Sequence, residues 1–311
     1  MSMHDLLARM TVREKCAQMV FIRCTFPDED PDRTSQLVRK DGVGGLLLSG
    51  GSLFDVPSFV NWAQKVAKVP VLVAADFERG ARVTGATEFP ADGALAATGS
   101  SDFAQTKARH LGLEARALGI RMMLGPSAGD PLARAAIDGY HYSKVLVCIR
   151  KFPDAGVREL AAQSDALMVG HEVVDELDEE QIASLSRTAI QGLIRRELRF
   201  EGLVVTDGLH RLGSGTEILE RAANAGADVL LTPADPGKAI DALEAAVGRG
   251  RVAESAVDRA VLRLLLHKER MGLFTDRQTD VAQVEQIVGS ESHRASARRM
   301  AEAILRASSG G

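Results

Sequence analysis

Residues 203–207, Leu-Val-Val-Thr-Asp, and residues 228–232, Asp-Val-Leu-Leu-Thr, are two short apolar runs on either side of an amphipathic stretch. Runs with so little polar alternation are typical of strands buried on both faces of a parallel sheet. Eight such runs occur along the chain, at residues 17–22, 43–49, 71–76, 121–126, 145–150, 166–170, 203–207 and 228–232. Eight strands with helical connections favour an α/β fold of the closed (β/α)₈ TIM-barrel type over an open doubly wound sheet. The first run is also not followed by the Gly-x-Gly-x-x-Gly motif of a dinucleotide-binding domain.

Length and composition are those of a single barrel domain. The chain has 311 residues, of which 45% are hydrophobic and 26% are charged. We expect residues 1–275 to form the barrel, and the more polar residues 276–311 to form a C-terminal helical extension with a flexible tail. The net charge of −4 arises from interspersed charges. It therefore gives no indication of a nucleic-acid partner or of a membrane surface.

The three cysteines, Cys16, Cys24 and Cys148, do not share a metal-ligand spacing. We interpret them as buried free thiols in a reducing compartment. The first residues contain no apolar stretch of signal-peptide length, and no run approaches the ~20 apolar residues of a membrane helix. We therefore expect a cytoplasmic protein, and we expect neither a metal ion nor an organic cofactor.

The carboxyl ends of the eight runs carry the candidate functional residues, because barrel enzymes place their chemistry at that end of the strands. The ionisable residues at these ends are Asp76, Glu78, Arg79, Arg82, Asp130, Arg150, Lys151, His171, Glu172, Asp207 and His210. Carboxylates mixed with cations suit a polyhydroxylated ligand, since each sugar hydroxyl both donates and accepts a hydrogen bond. They also suit retaining glycoside hydrolysis, which needs a carboxylate nucleophile ~5 Å from an acid/base.

Structural roles remain open for the same residues. Asp207 could cap the helix that follows it, and Asp76 could simply pair with Arg82 or another barrel arginine. Arg150 and Lys151 could be solvated charges at the rim of the barrel. His171 and His210 could be strand-end histidines whose hydrogen bonds are made within the protein. For His210, one turn beyond Asp207, we favour the structural interpretation.

Two segments in particular resemble glycoside hydrolase family 3. Residues 69–83 read Val-Pro-Val-Leu-Val-Ala-Ala-Asp-Phe-Glu-Arg-Gly-Ala-Arg-Val and are followed by Thr-Glu-Phe-Pro at 87–90. They are similar to the family's P-L-L-V-A-x-D-x-E-G-G-R-V and F-P segments. Residues 202–209, Gly-Leu-Val-Val-Thr-Asp-Gly-Leu, are similar to its G-L-V-V-T-D-x-L segment, and residues 222–231 to its last strand motif.

The resemblance implies a TIM barrel in which Asp207 is the nucleophile that attacks the anomeric carbon. It also implies that Asp76 hydrogen-bonds sugar hydroxyls and that Arg82, after a one-residue insertion, is the motif arginine. The Asp-x-Glu pattern with an arginine soon after it is that of the bacterial β-N-acetylglucosaminidase branch. On the same grounds we expect Arg150, Lys151 and His171 to bind substrate.

The chain departs from the family pattern where the acid/base is expected. The family has Lys-His-Phe-Pro-Gly-His-Gly after the fifth strand, whereas residues 150–156 read Arg-Lys-Phe-Pro-Asp-Ala-Gly. The family segment that carries an acid/base histidine is missing, and we expect no second domain to supply one. The candidates that remain for this role are Asp154, Glu159 and His171.

Three hypotheses follow for the function. The first is a retaining exo-glycosidase of the β-N-acetylglucosaminidase type, acting on a small carbohydrate with an unconventional proton donor. The second is a sugar-binding pseudoenzyme that keeps the barrel without hydrolysis. The third is a scaffold or regulatory protein, against which the presence of both Asp76 and Asp207 argues.

Overall fold

Eight parallel strands form the centre of the molecule in a computed structural model, which describes residues 2–77, 82–154, 156–175 and 178–309. The strands are β1 (Val20–Thr25), β2 (Gly45–Ser49), β3 (Leu72–Ala75), β4 (Met122–Ser127), β5 (Leu146–Phe152), β6 (Ala166–Val169), β9 (Leu203–Thr206) and β10 (Leu230–Leu231). Strands β7 (Val173–Val174) and β8 (Asp178–Ile182) form a separate antiparallel hairpin between β6 and β9.

The sheet closes on itself. Its strand order is β10-β1-β2-β3-β4-β5-β6-β9, and a parallel bridge between Val205 and Val229 joins the two ends. The Asp228 amide donates to the Val204 carbonyl at 2.8 Å, and the Thr206 amide donates to the Val229 carbonyl at 3.0 Å. The predicted (β/α)₈ barrel is therefore confirmed.

Helices surround the barrel and fill the connections between strands. The α-helices are α1 (Met3–Ala8), α2 (Val12–Met19), α3 (Pro31–Ser35), α4 (Asp55–Val66), α5 (Asp92–Ala96), α6 (Ser101–Ala117), α7 (Ala133–Tyr142), α8 (Val157–Leu160), α9 (Glu217–Ala225), α10 (Pro236–Gly248), α11 (Glu254–Arg270), α12 (Val281–Ile287) and α13 (Glu291–Ser309). Gln36–Asp41 and Thr188–Glu197 are π-helical, and Ala161–Gln163, Ala183–Leu185 and Leu209–Leu212 are 3₁₀ turns. None of the described helices is long and apolar enough to cross a membrane.

The first predicted strand begins three residues too early at 17–22, because α2 continues to Met19 and the strand starts at Val20. A capping box starts this helix: the Glu14 amide donates to Thr11 Oγ1 at 3.2 Å, and the Thr11 amide donates to the Glu14 carboxylate at 2.9 Å. The apolar residues at 16–19 are the buried side of the helix. A short apolar run cannot by itself be assigned to a helix or a strand.

The strands are buried on both faces. One face lines the barrel interior, where Phe21, Leu72, Met122 and Leu146 belong to one core cluster, and the other packs against the helices. The interior cluster also contains Leu264, from the helix that crosses the amino-terminal end of the barrel. This end is filled by packing, which leaves the carboxyl end as the open one.

Buried ion pairs fix the amino-terminal end of the barrel. Asp228, just before β10, is contacted by Arg195 and, at 3.0 Å, by Arg263. Asp165, just before β6, is contacted by Arg270 and, at 2.9 Å, by His141. Because these carboxylates lie at the opposite end of the strands from Asp207, their role is structural.

Candidate active site

A cavity of about 590 Å³ opens at the carboxyl ends of the strands. Its lining residues are Arg23, Leu47, Leu48, Ser49, Asp76, Arg82, Leu124, Ser127, Arg150, Lys151, Met168, Asp207, Gly208, His210, Arg211 and Leu231. Apolar side chains from the barrel interior form part of this lining, together with carboxylates and cations from the strand ends. Six of the ionisable residues expected at the rim therefore share one cavity: Asp76, Arg82, Arg150, Lys151, Asp207 and His210.

Asp207 follows β9 directly, and its amide donates to the Val169 carbonyl at 2.8 Å. Its Oδ1 accepts a hydrogen bond from the Gly208 amide at 2.7 Å. Its Oδ2 lies 3.0 Å from Arg211 Nη1 and 3.5 Å from Lys151 Nζ. Burial raises the pKa of Asp207, but the Gly208 hydrogen bond and the nearby positive charges outweigh it, and the net pKa is lowered. The carboxylate is therefore ionised at neutral pH and available as a nucleophile.

Lys151 lies between two carboxylates. Its Nζ is 2.5 Å from Glu172 Oε1 and 3.5 Å from Asp207 Oδ2. The backbone of β5 places it, because Leu146–Phe152 is paired with β4 on one side and β6 on the other. The ammonium group can therefore orient Asp207 and still donate to a ligand hydroxyl.

Asp76 follows β3 and pairs with Arg150 of β5, whose Nη1 lies 2.5 Å from Asp76 Oδ2. The Asp76 side chain is 46% exposed, so one side of its carboxylate faces the cavity solvent. Asp76 therefore does pair with a barrel arginine, as the structural interpretation expects. The partner is Arg150, and among the described residues no ion pair joins Asp76 to Arg82. A sugar hydroxyl could accept from the guanidinium and donate to the carboxylate together.

His171 is held by hydrogen bonds at both ring nitrogens. Its Nε2 lies 3.2 Å from the Gly208 carbonyl and its Nδ1 lies 2.7 Å from Ser184 Oγ. A carbonyl only accepts, so Nε2 carries the hydrogen and Nδ1 accepts from the serine. Burial lowers the pKa of His171. This neutral imidazole fixes the backbone beside Asp207, and it does not line the cavity.

His210 does line the cavity. Its Nδ1 lies 3.0 Å from Thr232 Oγ1 and 3.3 Å from the Thr232 carbonyl, which again assigns the hydrogen to Nδ1. The ring packs on the Cα of Gly208, where a Cβ would lie 2.6 Å from its Cε1 atom. Glycine at position 208 therefore makes room for this imidazole next to Asp207. The hydrogen bonds to Thr232 fit the structural role that the sequence favours for His210. The ring also lines the cavity, so it can contact a ligand as well.

The other two acid/base candidates lie elsewhere. Glu159 lines a different cavity, of about 640 Å³, together with residues of α6 and α7. Asp154 accepts a hydrogen bond from the Gly156 amide at 3.1 Å, and it is not among the residues that line the Asp207 cavity. The motif residues Glu78 and Arg79, and Ala155 in the altered segment, lie outside the described residues.

Arg23 was not singled out in the sequence, yet it lines the cavity. It lies in β1 two positions after Phe21, whose ring is in the barrel interior. Alternation along the strand therefore turns Arg23 towards the barrel axis, at the level of the mouth. The available signal was one charged residue within an otherwise apolar strand. The described residues contain no cluster of three or more His, Cys, Asp or Glu side chains that could hold a metal ion.

Residues 11–130 and 155–266 match the family model described as the glycosyl hydrolase family 3 N terminal domain. The matched segments make up more than half of the chain. The chain belongs to glycoside hydrolase family 3. The resemblance carried by the segments around Asp76 and Asp207 is thereby confirmed.

Several family 3 enzymes are similar along most of this chain. A beta-N-acetylglucosaminidase/beta-glucosidase of Cellulomonas fimi is 26% identical, over 96% of this chain and 64% of that protein. A beta-hexosaminidase of Pseudomonas aeruginosa is 28% identical, over 68% of this chain and 81% of that protein. The solved structure of a family 3 beta-N-acetylglucosaminidase from Paenibacillus superposes with a TM-score of 0.85 at 27% identity, covering 94% of this chain and 69% of that one. The chain thus spans less than two thirds of the length of the Cellulomonas relative.

The family match is interrupted at residues 131–154. This stretch contains α7 and β5, and with them Arg150 and Lys151. In its described residues, the following connection from β5 to β6 contains α8, of four residues, and one 3₁₀ turn. The chain therefore departs from family 3 on the side of the barrel where the family segment with the acid/base histidine is expected.

Proposed function

We propose that this protein is a retaining exo-glycosidase of the β-N-acetylglucosaminidase type, with Asp207 as its nucleophile. The observation that carries the proposal is the ionised Asp207 carboxylate at the end of β9, in a cavity shared with Asp76. Family membership makes hydrolysis of a glycoside the reaction to expect. The names of the Cellulomonas, Pseudomonas and Paenibacillus relatives support N-acetylglucosamine as the sugar.

The first step is an attack by an Asp207 oxygen on the anomeric carbon. The bond from that carbon to the leaving-group oxygen breaks, and a glycosyl ester of Asp207 forms. The Gly208 amide holds Oδ1 at 2.7 Å, which orients the carboxylate. Water then hydrolyses the ester and restores the carboxylate, with net retention of configuration.

The remaining polar groups of the cavity are proposed to bind the sugar. The Asp76–Arg150 pair and Lys151 offer acceptors and donors for adjacent hydroxyls. Arg82, from the loop after β3, adds a further donor. His171 supports the same site indirectly, through its hydrogen bond to the Gly208 carbonyl.

For the proton donor we favour His210 over Asp154, Glu159 and His171. His210 is the imidazole that lines the Asp207 cavity, and its Nδ1–H is taken by Thr232. Its Nε2 is thus the nitrogen left for chemistry: the doubly protonated ring gives the Nε2 proton to the leaving group, and the neutral ring that results takes a proton from water in the second step. Asp154 and Glu159 lack this placement, and both nitrogens of His171 are already bonded.

The proposal is tested with a nitrophenyl β-N-acetylglucosaminide. Asp207→Asn keeps the size of the side chain and removes its charge, so turnover should fall to background while the melting temperature changes little. Asp102→Asn, an exposed carboxylate on α6, is the matched control and should keep full activity. NMR of the wild-type reaction should detect the β-anomer of the sugar first. Unchanged turnover in Asp207→Asn would show that another group is the nucleophile.

A sugar-binding protein without hydrolysis is the second candidate. The interrupted family match at 131–154 favours it, because the interruption includes the start of the altered segment 150–156, directly before the connection where the family's acid/base is expected. In that case wild type and Asp207→Asn would both bind N-acetylglucosamine in calorimetry, and neither would turn over an activated glycoside. Turnover of the nitrophenyl substrate by the wild type alone would reject it.

A further inference from the structure

The Asp207 cavity carries an excess of positive charge. Its lining residues include two carboxylates, Asp76 and Asp207, against five cations, which are Arg23, Arg82, Arg150, Lys151 and Arg211. The whole chain has a net charge of −4, so the sign of the cavity is opposite to that of the molecule. A local excess of this kind attracts anions, and walls of low dielectric strengthen the effect.

Three of the five cations are neutralised within the site. Arg150 pairs with Asp76 at 2.5 Å, and Arg211 pairs with Asp207 at 3.0 Å. Lys151 pairs with Glu172 at 2.5 Å, a carboxylate that lies beside the cavity. After these pairs are made, no carboxylate among the described lining residues is left for the remaining two arginines.

Arg23 and Arg82 are those two. Neither makes an ion pair or a side-chain hydrogen bond within the described ranges 2–77, 82–154, 156–175 and 178–309. Arg23 is an inward position of β1, opposite Leu47 of β2, where small barrels place packing side chains. A guanidinium at that level contributes little to packing, and its five donors point into the space that a ligand would fill.

The two arginines flank one strand. Arg23 comes from β1 and Arg82 from the loop that follows β3, with Ser49 at the end of β2 between them. The Thr84 amide, two residues after Arg82, donates to the Gly51 carbonyl at 2.9 Å, so the loop of Arg82 is attached just beyond the end of β2, the strand that pairs with β1 at Arg23. A single oxyanion between them could take a bidentate contact from each guanidinium.

We propose that Arg23 and Arg82 form a subsite for a negatively charged oxygen group, a carboxylate or a phosphate, carried by the sugar bound beside Asp207. The inference rests on the proposed function for the sugar itself and adds the class of substrate. Neutral glycosides can then use Arg82 only as a donor to a hydroxyl, whereas anionic ones place their charge between Arg23 and Arg82.

Calorimetry on matched neutral and charged sugars tests the subsite without relying on catalysis. The pairs are N-acetylglucosamine with its 6-phosphate, and glucose with glucuronic acid; inorganic phosphate alone is the third arm. At low salt each charged sugar should bind about 10-fold more tightly than its neutral partner, since charge-assisted hydrogen bonds are worth about that factor or more. The preference should shrink at 0.5 M salt, because the Debye length there is roughly half of its ~8 Å at physiological ionic strength and the charges are screened more strongly.

Arg23→Met and Arg82→Met should each reduce the charged-to-neutral ratio several-fold. Arg39→Met is the matched control, because Arg39 is exposed on the π-helical segment Gln36–Asp41 that precedes β2, and the substitution changes the net charge equally. Melting temperatures check folding, and Arg82→Met, on a loop, keeps the test open if Arg23→Met does not fold.

Equal binding of charged and neutral sugars, or a preference that survives both substitutions, would overturn the subsite. Phosphate binding alone, with no gain for either charged sugar, would overturn its assignment to a group on the sugar. The proposed function is tested separately. If the wild type binds charged sugars through Arg23 but hydrolyses no aryl glycoside, the subsite is supported and the proposed glycosidase activity is rejected. If turnover depends on Asp207 but charged sugars are not preferred, the activity is supported and the subsite is rejected.

Discussion

Glu114→Gln is expected to destabilise the protein strongly, because Glu114 joins three segments from a fully buried position on α6. Its carboxylate accepts from the Thr87 amide at 3.1 Å and from Thr87 Oγ1 at 2.6 Å. It also accepts from the Gly289 amide at 3.0 Å and contacts His293 Nδ1 at 2.8 Å. The loop after β3, which carries Arg82, is thereby fastened to the C-terminal helices.

The size of the effect follows from these contacts. An amide keeps one acceptor oxygen, which can serve Thr87 Oγ1, Gly289 and His293, but its NH₂ group then faces the Thr87 amide, another donor. Weakening the hydrogen bonds to a buried charged acceptor and leaving the Thr87 amide without an acceptor together cost ~3–5 kcal/mol. At roughly 2 °C per kcal/mol for a large domain, the melting temperature should fall by about 6–10 °C.

Differential scanning calorimetry at pH 7 measures the change, and Glu291→Gln is the control. Glu291 pairs with Arg298 on α13 in full solvent exposure, so its loss should cost ~1 kcal/mol or less. Burial raises the pKa of Glu114, but hydrogen bonds from His293 and Thr87 outweigh this and the net pKa is lowered. The stabilisation is therefore present above the ordinary value of 4.5 and is lost as the pH falls through the folded-state pKa. A loss no larger than that of Glu291→Gln, or one of equal size at pH 7 and pH 3.5, would refute the reasoning.

Two further outcomes are expected. His210→Ala should slow cleavage of an N-acetylglucosamine disaccharide by ~10²–10⁴-fold and that of a nitrophenyl glycoside far less, and equal losses in steady-state kinetics would reject the proton donor. Burial lowers the pKa of Lys268, whose Nζ meets Gln18 Oε1 at 2.6 Å. The unfolded chain then binds the extra proton, so Lys268 contributes stability that rises towards pH 10 in urea titrations, on top of the opposite trend from the buried thiols of Cys16, Cys24 and Cys148. Lys268→Met should lose this rise, and parallel pH profiles would count against a neutral Lys268.

The altered family segment has a direct structural consequence. In family 3 the connection after the fifth strand is expected to bring an acid/base side chain over the nucleophile, whereas here α8 and a 3₁₀ turn lead almost straight to β6. In the described part of this connection, Glu159 lines another cavity. The described polar groups of the Asp207 cavity therefore come from the strand ends and the segments just after them. For this reason we propose His210 as the proton donor and Arg23 as part of an anion subsite.

Much of the architecture followed from the sequence, because buried parallel strands need continuous apolar runs. The eight runs gave the number of strands, and the ends of those runs brought Asp76, Arg150, Lys151 and Asp207 into one cavity. The boundary at Met19 was misplaced, since an apolar helix face and an apolar strand look alike over a few residues. The family assignment rested on ordered motifs around Asp76 and Asp207, and the family model agrees with it.

The sequence alone determined the barrel, the family and the position of Asp207 at the barrel mouth, since each depends on local pattern and on the rule that strand ends meet at one rim. The tertiary structure decided which ionisable groups remain free. It bonds both nitrogens of His171, leaves one nitrogen of His210, and pairs Arg150 with Asp76. It also directs the Arg23 side chain into the cavity at the open end of the barrel. Such partnerships join residues far apart in the chain, so they depend on closure of the barrel, and no periodicity or spacing records them.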